Sequence, residues 1–195
     1  HWDILRPGRT RIPMADALIS GRMDFGSHWG PNKACSLFMM LVHPVFAKYT
    51  NTPHASLVRL VDTMLLLHEQ PSITKEVIEL LHCSGLKTAG WITAMWLFYL
   101  TDHETAAELT ENLKPGLLRR QHLKWWLTND LSTRWLDKPN RIHLGFSLPA
   151  HDTFCDSFRS VWAARENRHK GMALLSQLEQ TLQGSYHDDQ PEFTN

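Results

Sequence analysis

The sequence predicts a mainly α-helical protein, a helical bundle that follows an extended N-terminal strand or arm. From Lys33 onward apolar residues recur at helical spacing, whereas Gly, Pro and Arg interrupt residues 6–33 at short intervals. A length of 195 residues, with 43% hydrophobic and 21% charged residues, suits one packed domain. We therefore divide the chain into an arm with a winding connection at 1–33, a helical domain at 34–183, and a frayed polar tail at 184–195.

The arm begins with a segment that alternates as a half-buried strand does. His1 and Asp3 lie on the face of this strand opposite Trp2. The residues that follow, 6–33, indicate a winding connection with at most one short helix, around 15–19.

The first helices of the bundle follow from apolar periodicity. Residues 34–42 are apolar nearly all round and predict a central buried helix, which Pro44 should kink or break near its end. A second helix is predicted over 54–69, and its inward stripe consists of Leu57, Leu60, Val61, Met64, Leu65 and His68. Ser72 is a favourable N-cap for a third helix, which Gly85 ends just past the last turn.

The next helices have equally clear signals. Residues 87–100 are apolar on most sides and predict a helix in the middle of the bundle. Thr101 and Glu104 have the spacing of a capping box for a short helix that ends at Leu113. An amphipathic helix is predicted over 117–128, with an inward set of Leu118, Trp125, Trp126 and Leu127.

The C-terminal part is less regular. Residues 142–148 favour a short strand or a loop, and the sequence does not separate the two. Residues 153–182 predict a final helix that bends or breaks near Gly171.

Composition excludes several classes of protein. The 20 basic residues balance the 20 acidic residues, so no net field attracts nucleic acid or an anionic membrane. Three cysteines far apart, Cys35, Cys83 and Cys155, form no CxxC pair and predict reduced, mostly buried thiols in a cytoplasmic protein. The longest uncharged apolar run, 34–47, is too short for a membrane span.

Three groups of residues have the chemistry of a functional site. In the first, His1 and Asp3 stand beside the basic turn of Arg6 and Arg9, an arrangement that suits a metal-bound phosphate. A solvent-facing strand end with turn arginines is the structural alternative, and by composition alone it is favoured.

The second group lies on the first two helices of the bundle. Arg59 and Asp62 are three residues apart on one helix, and antiparallel packing would bring His43 towards Asp62. We expect a buried polar cluster of His43, Arg59 and Asp62, in which a structural hydrogen bond is favoured over catalysis.

The third group is basic and lies near the end of the chain. Its members, with Trp162 nearby, are Arg159, Arg165, Arg168, His169 and Lys170. Phosphate contacts and base stacking would suit such a set. A solvated helix face is the favoured interpretation, because the total charge is neutral.

Four segments together resemble the C-terminal part of a poorly characterised bacterial nucleotidyltransferase family. They are Leu37-Phe38-Met39-Met40-Leu41-Val42-His43, Leu57-Val58-Arg59-Leu60-Val61-Asp62, residues 78–85 and residues 89–97. In that family a strand ending in a His-Trp pair precedes helices with an apolar-His element and an Arg-x-x-Asp element. His1-Trp2, His43 and Arg59 with Asp62 match these elements, and the resemblance covers residues 1–130.

The resemblance implies a reaction and a missing part. Such enzymes transfer a nucleoside monophosphate from an NTP to an acceptor, which here is unknown, with Mg²⁺ ions held by three carboxylates. Their Gly-Ser and Asp-x-Asp motifs belong to an α/β core, and this sequence contains no Gly-Ser followed by Asp-x-Asp. We expect the arm to be the last strand of that core, with its earlier part upstream of His1.

On the same resemblance, Asp3 is the only candidate for the third, metal-binding carboxylate. His1 would be catalytic beside it, and Arg6 and Arg9 would contact substrate or phosphate. We expect the 195-residue chain to be inactive on its own. The main alternative is a non-catalytic helical domain that binds a substrate or a protein partner through an exposed apolar face. A His-rich metalloenzyme is a further alternative, while no membrane or nucleic-acid partner is expected.

Overall fold

The structure is a computed structural model, which describes residues 5, 8–48, 53–135, 137–166 and 169. Within them the fold is mainly helical, as predicted. The α-helices are α1 (Met14–Ser20), α2 (Lys33–His43), α3 (Pro53–Glu69), α4 (Thr74–Ser84), α5 (Lys87–Thr101), α6 (Glu104–Asn112), α7 (Leu117–Thr128), α8 (Leu131–Arg134), α9 (Pro139–Ile142) and α10 (154–166). Shorter turns are the 3₁₀ turn Pro71–Ile73 and the π-helical turns Pro44–Lys48 and His143–Ser147.

The connection before the bundle contains the predicted short helix, α1, and a β-hairpin that was not predicted. Strands β1 (Arg22–Asp24) and β2 (Trp29–Pro31) pair antiparallel. The Asp24 carboxylate accepts the backbone N–H of Gly26 at 2.7 Å, which shapes the turn between them. Strands of three residues are too short to show alternation in the sequence, so the hairpin left no periodic signal.

The core forms around α5, which packs against α2, α4 and α6. As predicted, α5 is buried on most of its sides, because every residue from Thr88 to Met95 is buried. The Thr93 hydroxyl donates to the Leu41 carbonyl at 2.5 Å, so this buried polar side chain of α5 is paired with α2. The prediction of a central apolar helix is confirmed.

The regular α-helix α2 ends at His43, just before Pro44, as predicted, but the chain does not leave the helical conformation there. Asn32 caps its start by accepting the backbone N–H of Cys35 at 2.8 Å. Pro44 does not end the helical backbone, which continues through the π-helical turn Pro44–Lys48. Proline lacks an N–H, and a wider turn keeps the chain helical where the regular hydrogen-bond ladder is interrupted.

The predicted caps are correct in one case of three. Gly85 ends α4 in the left-handed conformation at φ 75°, as expected. Ser72 lies in the 3₁₀ turn and does not cap α4, because Ile73 occupies that position. The capping box is also wrong: Thr101 belongs to α5, and His103 caps α6 by accepting the Thr105 N–H at 3.2 Å.

Two predicted inward stripes are correct only in part. Among the described side chains of α3, Leu60, Thr63 and Leu67 are buried, whereas Val61, Leu65 and His68 are exposed, and Leu57 lies outside the described side chains. On α7 the buried residues are Leu123, Trp126 and Leu127, whereas Leu118 and Trp125 are exposed. Apolar residues lie on both sides of these helices, so the sequence alone did not reveal which side meets the core.

The C-terminal segments close the bundle. Residues 143–147 form a π-helical turn and not the strand or loop that was expected. The Phe146 ring stacks on Trp126 at 5.8 Å, which brings this turn against α7. Helix α10 confirms the start of the predicted final helix, and residues 170–182 of that prediction lie outside the described residues.

Two findings bear on the predicted environment of the protein. No helix in the described part of the chain is long and apolar enough to cross a membrane. Cys35 is buried, but Cys83 and Cys155 are exposed, so the expectation of mostly buried thiols was wrong for these two.

Candidate functional site

The predicted site residues of the arm fall mainly outside the described part of the structure. His1, Asp3 and Arg6 are among the residues that are not described, so their catalytic, metal and phosphate roles stay predictions. Arg9 is described and buried. Its surroundings show how the arm joins the bundle.

Arg9 connects the arm to the end of α2. Its Nη1 donates to the Phe46 carbonyl at 3.2 Å, and the guanidinium lies 4.7 Å from the centre of the Phe46 ring. Carbonyl groups in the last turn of a helix lack a regular backbone donor, and the Arg9 guanidinium provides a donor for the Phe46 carbonyl. In this geometry Arg9 binds the protein's own backbone, and its phosphate role remains a prediction.

His151 also packs against the Phe46 ring, at 5.0 Å between ring centres. It is only 1% exposed, and its Nδ1 lies 3.1 Å from the Ser147 carbonyl, which makes Nδ1 the protonated nitrogen. Burial, and then the positive charge of Arg9, lower the pKa of His151 to about 4. Nε2 is buried without a partner among the described residues. The ring is therefore neutral at physiological pH.

Asp156 on α10 binds the arm through Arg11. The guanidinium of Arg11 donates two hydrogen bonds to the carboxylate, at 3.0 and 2.6 Å. Arg159 pairs with the same carboxylate, and the Thr153 hydroxyl donates to it at 2.6 Å. Burial would raise the pKa of Asp156, but the hydrogen bonds from Arg11 and Thr153 and the two guanidinium charges hold it at about 2.

We call Arg9, Arg11, His151, Asp156 and Arg159 the arm lock. It holds Arg9 and Arg11 of the arm against the π-helical turn Pro44–Lys48 and α10. The backbone of the arm also contacts the end of α4, since the Arg11 N–H donates to the Ser84 carbonyl at 2.9 Å. Sequence reasoning found Arg9 and Arg159 and missed the others, because residues 145 positions apart, such as Arg11 and Asp156, carry no local signal.

Asp152 makes a second set of polar contacts, which fix the segment between the π-helical turn His143–Ser147 and α10. The Asp152 carboxylate accepts the backbone N–H groups of Lys87 and Thr88, at 3.1 and 2.7 Å, and so caps α5 from a distant part of the chain. Arg119 of α7 donates to the Asp152 carbonyl. These bonds fix where α10 begins.

The predicted cluster of His43, Arg59 and Asp62 is only partly described. His43 is half-buried at the end of α2, while Asp62 is exposed on α3 and does not belong to a buried cluster. The side chain of Arg59 lies outside the described residues. The expected buried polar cluster is thus corrected for Asp62, because α3 turns that position towards solvent.

The members of the basic group near the end of the chain have different surroundings. Arg159 is paired with Asp156, whereas Arg165 and Trp162 are exposed. Arg168 and Lys170 lie outside the described residues, and His169 is exposed. The nucleic-acid alternative loses Arg159, which is paired in the arm lock. Of its basic residues, Arg165 and His169 are described and exposed.

An apolar groove of about 480 Å³ lies between α3 and α5. Its lining residues are Leu60, Val61, Met64, Leu65, His68, Leu97, Leu100, Thr101 and His103. The volume falls within the range of small-molecule sites. The lining contains no Lys or Arg, so it suits an apolar group and not a triphosphate.

Metal ligands are dispersed in this part of the molecule. Among the described residues, no three His, Cys, Asp or Glu side chains stand close enough to hold one ion. Asp3, the predicted Mg²⁺ ligand, is not among them.

The comparisons with known proteins returned no relative. No protein-family model, no curated protein and no solved structure matches the chain.

Proposed function

We propose that this chain is the helical domain of a nucleotidyltransferase, and that the transfer of a nucleoside monophosphate from an NTP belongs to an α/β core joined ahead of it. The Mg²⁺ ions, the NTP and the acceptor would bind with that core. The chain itself would supply the arm as the core's last strand, with Asp3 as the third carboxylate. On its own the chain would be inactive.

The observation that carries this proposal is the position of the segments that resemble the family. They fall on α2, α3, α4 and α5, which pack together as the centre of the bundle. Leu37, Leu41, Leu81 and Leu97, all within these segments, are fully buried. The shared pattern therefore serves the fold of a helical domain, and it does not bring reactive side chains to one cleft.

The arm lock also supports the proposal that the core would catalyse the reaction while the helical domain positions the arm. An arm that continues from a core needs a fixed position on the helical domain, and the contacts of Arg9 and Arg11 provide one. A buried carboxylate that receives two guanidinium groups is stable while all partners are present. Such a junction would hold core and bundle in one orientation.

The coding sequence ahead of His1 tests this proposal. We expect it to encode a Gly-Ser followed by Asp-x-Asp within roughly a hundred residues, about one small domain. The joined protein should transfer nucleoside monophosphate in the presence of Mg²⁺, and an Asp3→Asn variant should lose that activity. A coding sequence without these motifs would refute the proposal and leave a helical binding domain.

The groove between α3 and α5 favours that second function, the binding of an apolar part of a substrate or partner. Leu65 and Leu100 on its rim are 56% and 60% exposed, which is unusual for leucines that face each other across a cleft. An environment-sensitive apolar dye should bind the chain, and Leu65→Asp with Leu100→Asp should abolish the fluorescence gain. Val161→Asp, at an exposed position of α10, is the control and should leave dye binding unchanged.

A further inference from the structure

We propose that the groove between α3 and α5 binds an uncharged apolar molecule that carries one hydrogen-bond acceptor, such as a ketone or an ester, and that His103 donates the hydrogen bond to this acceptor. The inference rests on the second proposed function, in which the groove binds an apolar group. It adds the chemical class of the ligand and the residue that recognises it.

The groove is apolar along most of its lining. Six of its nine lining residues are Leu, Val or Met. Leu60 and Leu97 are buried, whereas Leu65 and Leu100 are more than half exposed, so part of the lining belongs to the core and part is open to solvent. A ligand that covers Leu65 and Leu100 would remove their apolar surface from water, and this burial would supply most of its affinity.

The charge of the lining favours an uncharged ligand. None of its nine residues is Asp, Glu, Lys or Arg. A carboxylate, a phosphate or an ammonium group in this groove would lose its hydration without gaining an ion-pair partner, and an unpaired charge is costly to remove from water. The volume of about 480 Å³ suits a small organic molecule.

Three polar side chains complete the lining, namely His68, Thr101 and His103. The Thr101 hydroxyl donates to the Leu97 carbonyl at 2.6 Å. A hydroxyl group has a single hydrogen, so Thr101 can accept a hydrogen bond from a ligand but cannot donate one. A ligand with an acceptor therefore depends on one of the two imidazole rings.

The tautomer of His103 is fixed by the helix that follows it. His103 is the N-cap of α6, and its Nδ1 accepts the Thr105 N–H at 3.2 Å. A ring nitrogen that accepts a hydrogen bond carries no proton, so Nε2 of this neutral ring is protonated and is a donor. The ring is half-buried and lines the groove. It thus offers one neutral N–H donor beside an apolar wall, which suits a carbonyl or ester oxygen.

Three probes of nearly equal size distinguish the ligand classes. The probe 4-phenyl-2-butanone has a carbonyl acceptor, butylbenzene has a methylene group in its place, and 3-phenylpropanoate has a carboxylate. Met64 lines the groove, so the ¹³C NMR shift of its methyl group reports binding. We expect the ketone to bind at least about tenfold more tightly than the carboxylate, because no cation in the lining compensates for the lost hydration.

The variant His103→Asn tests the donor. Asparagine is a favourable N-cap, so the variant keeps the cap of α6 and loses the Nε2–H. It should weaken binding of the ketone about three- to tenfold more than binding of butylbenzene, which is the effect of one hydrogen bond. The control His28→Asn, at an exposed position between β1 and β2, should weaken neither probe.

The possible results separate this inference from the function on which it rests. Equal weakening of both probes by His103→Asn, or a larger effect of His68→Asn, would overturn recognition by His103 and leave the groove an apolar site. Tighter binding of the carboxylate would overturn the ligand class. A Met64 shift that changes with protein concentration alone would assign the groove to a second copy and overturn the inference as well. If no probe binds, the second proposed function fails with it.

Discussion

The side of the bundle that holds the arm buries and pairs its charged side chains. The side with the groove leaves apolar side chains exposed. At the arm lock, charged groups are taken inside and paired, so that Asp156 is buried against Arg11 and Arg159. At the groove, leucines on α3 and α5 are left open to solvent. Buried charges stabilise only as a complete set, whereas an open apolar surface contributes little until something covers it. The side with the arm lock therefore fixes the arm to the bundle, and the side with the groove is available to bind a substrate or partner.

Outside the apolar core, the largest effect is expected at Asp156. Asp156→Ala removes the carboxylate that two guanidinium groups share, and we expect the free energy of unfolding to fall by roughly 3 kcal/mol. Urea denaturation followed by tryptophan fluorescence measures this. The matched control is Asp137→Ala, whose pair with Lys138 at 3.8 Å is exposed and should change stability by less than about 0.5 kcal/mol. Equal effects of the two variants would contradict the arm lock.

Acid should weaken the arm side through His151. Its pKa is about 4 in the folded protein and about 6.5 in the unfolded chain, so the unfolded state binds the proton first. The contribution is complete above pH 6.5 and is lost as the pH falls towards 4. Between pH 7.5 and 4.5 this amounts to roughly 2–3 kcal/mol.

A comparison with His151→Gln isolates this titration from that of the other histidines. The variant keeps a side-chain donor but does not ionise, so its unfolding free energy should fall less steeply with decreasing pH. Asp156 does not confuse the measurement, because its pKa of about 2 means that it titrates below this window. Parallel curves for the two proteins would show that His151 is not responsible.

The smallest effect is expected in the groove. Leu65→Ala should change the free energy of unfolding by less than about 0.5 kcal/mol, because the side chain is already exposed. Leu67→Ala, two residues further on α3 and fully buried, should lower it by about 2–5 kcal/mol. Denaturation of the two variants under the same conditions measures the contrast. A large loss from Leu65→Ala would mean that the groove is part of the core.

The two regions also differ in how far the sequence could predict them. The helices around the core were predicted well, because α5 is apolar on nearly every side and Gly85 has a conformation that favours glycine. The sequence did not predict the groove, because Val61 and Leu65 are apolar at helical spacing and were assigned to the inward stripe. Periodicity identifies an apolar face but not whether another element covers it.

The arm lock could not be predicted for a different reason. Asp156 and Arg11 meet only because α10 returns to the arm, and the pKa of His151 is low because the fold buries the ring and places Arg9 nearby. These are long-range consequences of the fold. By composition Arg9 and Arg159 were expected on solvated surfaces, with phosphate or nucleic-acid contacts as the functional alternatives, whereas the structure pairs both within the protein. A basic residue in a sequence does not reveal whether its partner is internal.

The central claim is that this chain anchors and binds while the chemistry belongs to a core. The most direct measurement is nucleotide transfer by the purified 195-residue chain, with Mg²⁺ and each of the labelled NTPs in turn. We expect no transferred or hydrolysed nucleotide above the rate without protein. Transfer or hydrolysis that disappears in an Asp3→Asn variant would contradict the claim, since the chain would then contain its own catalytic site.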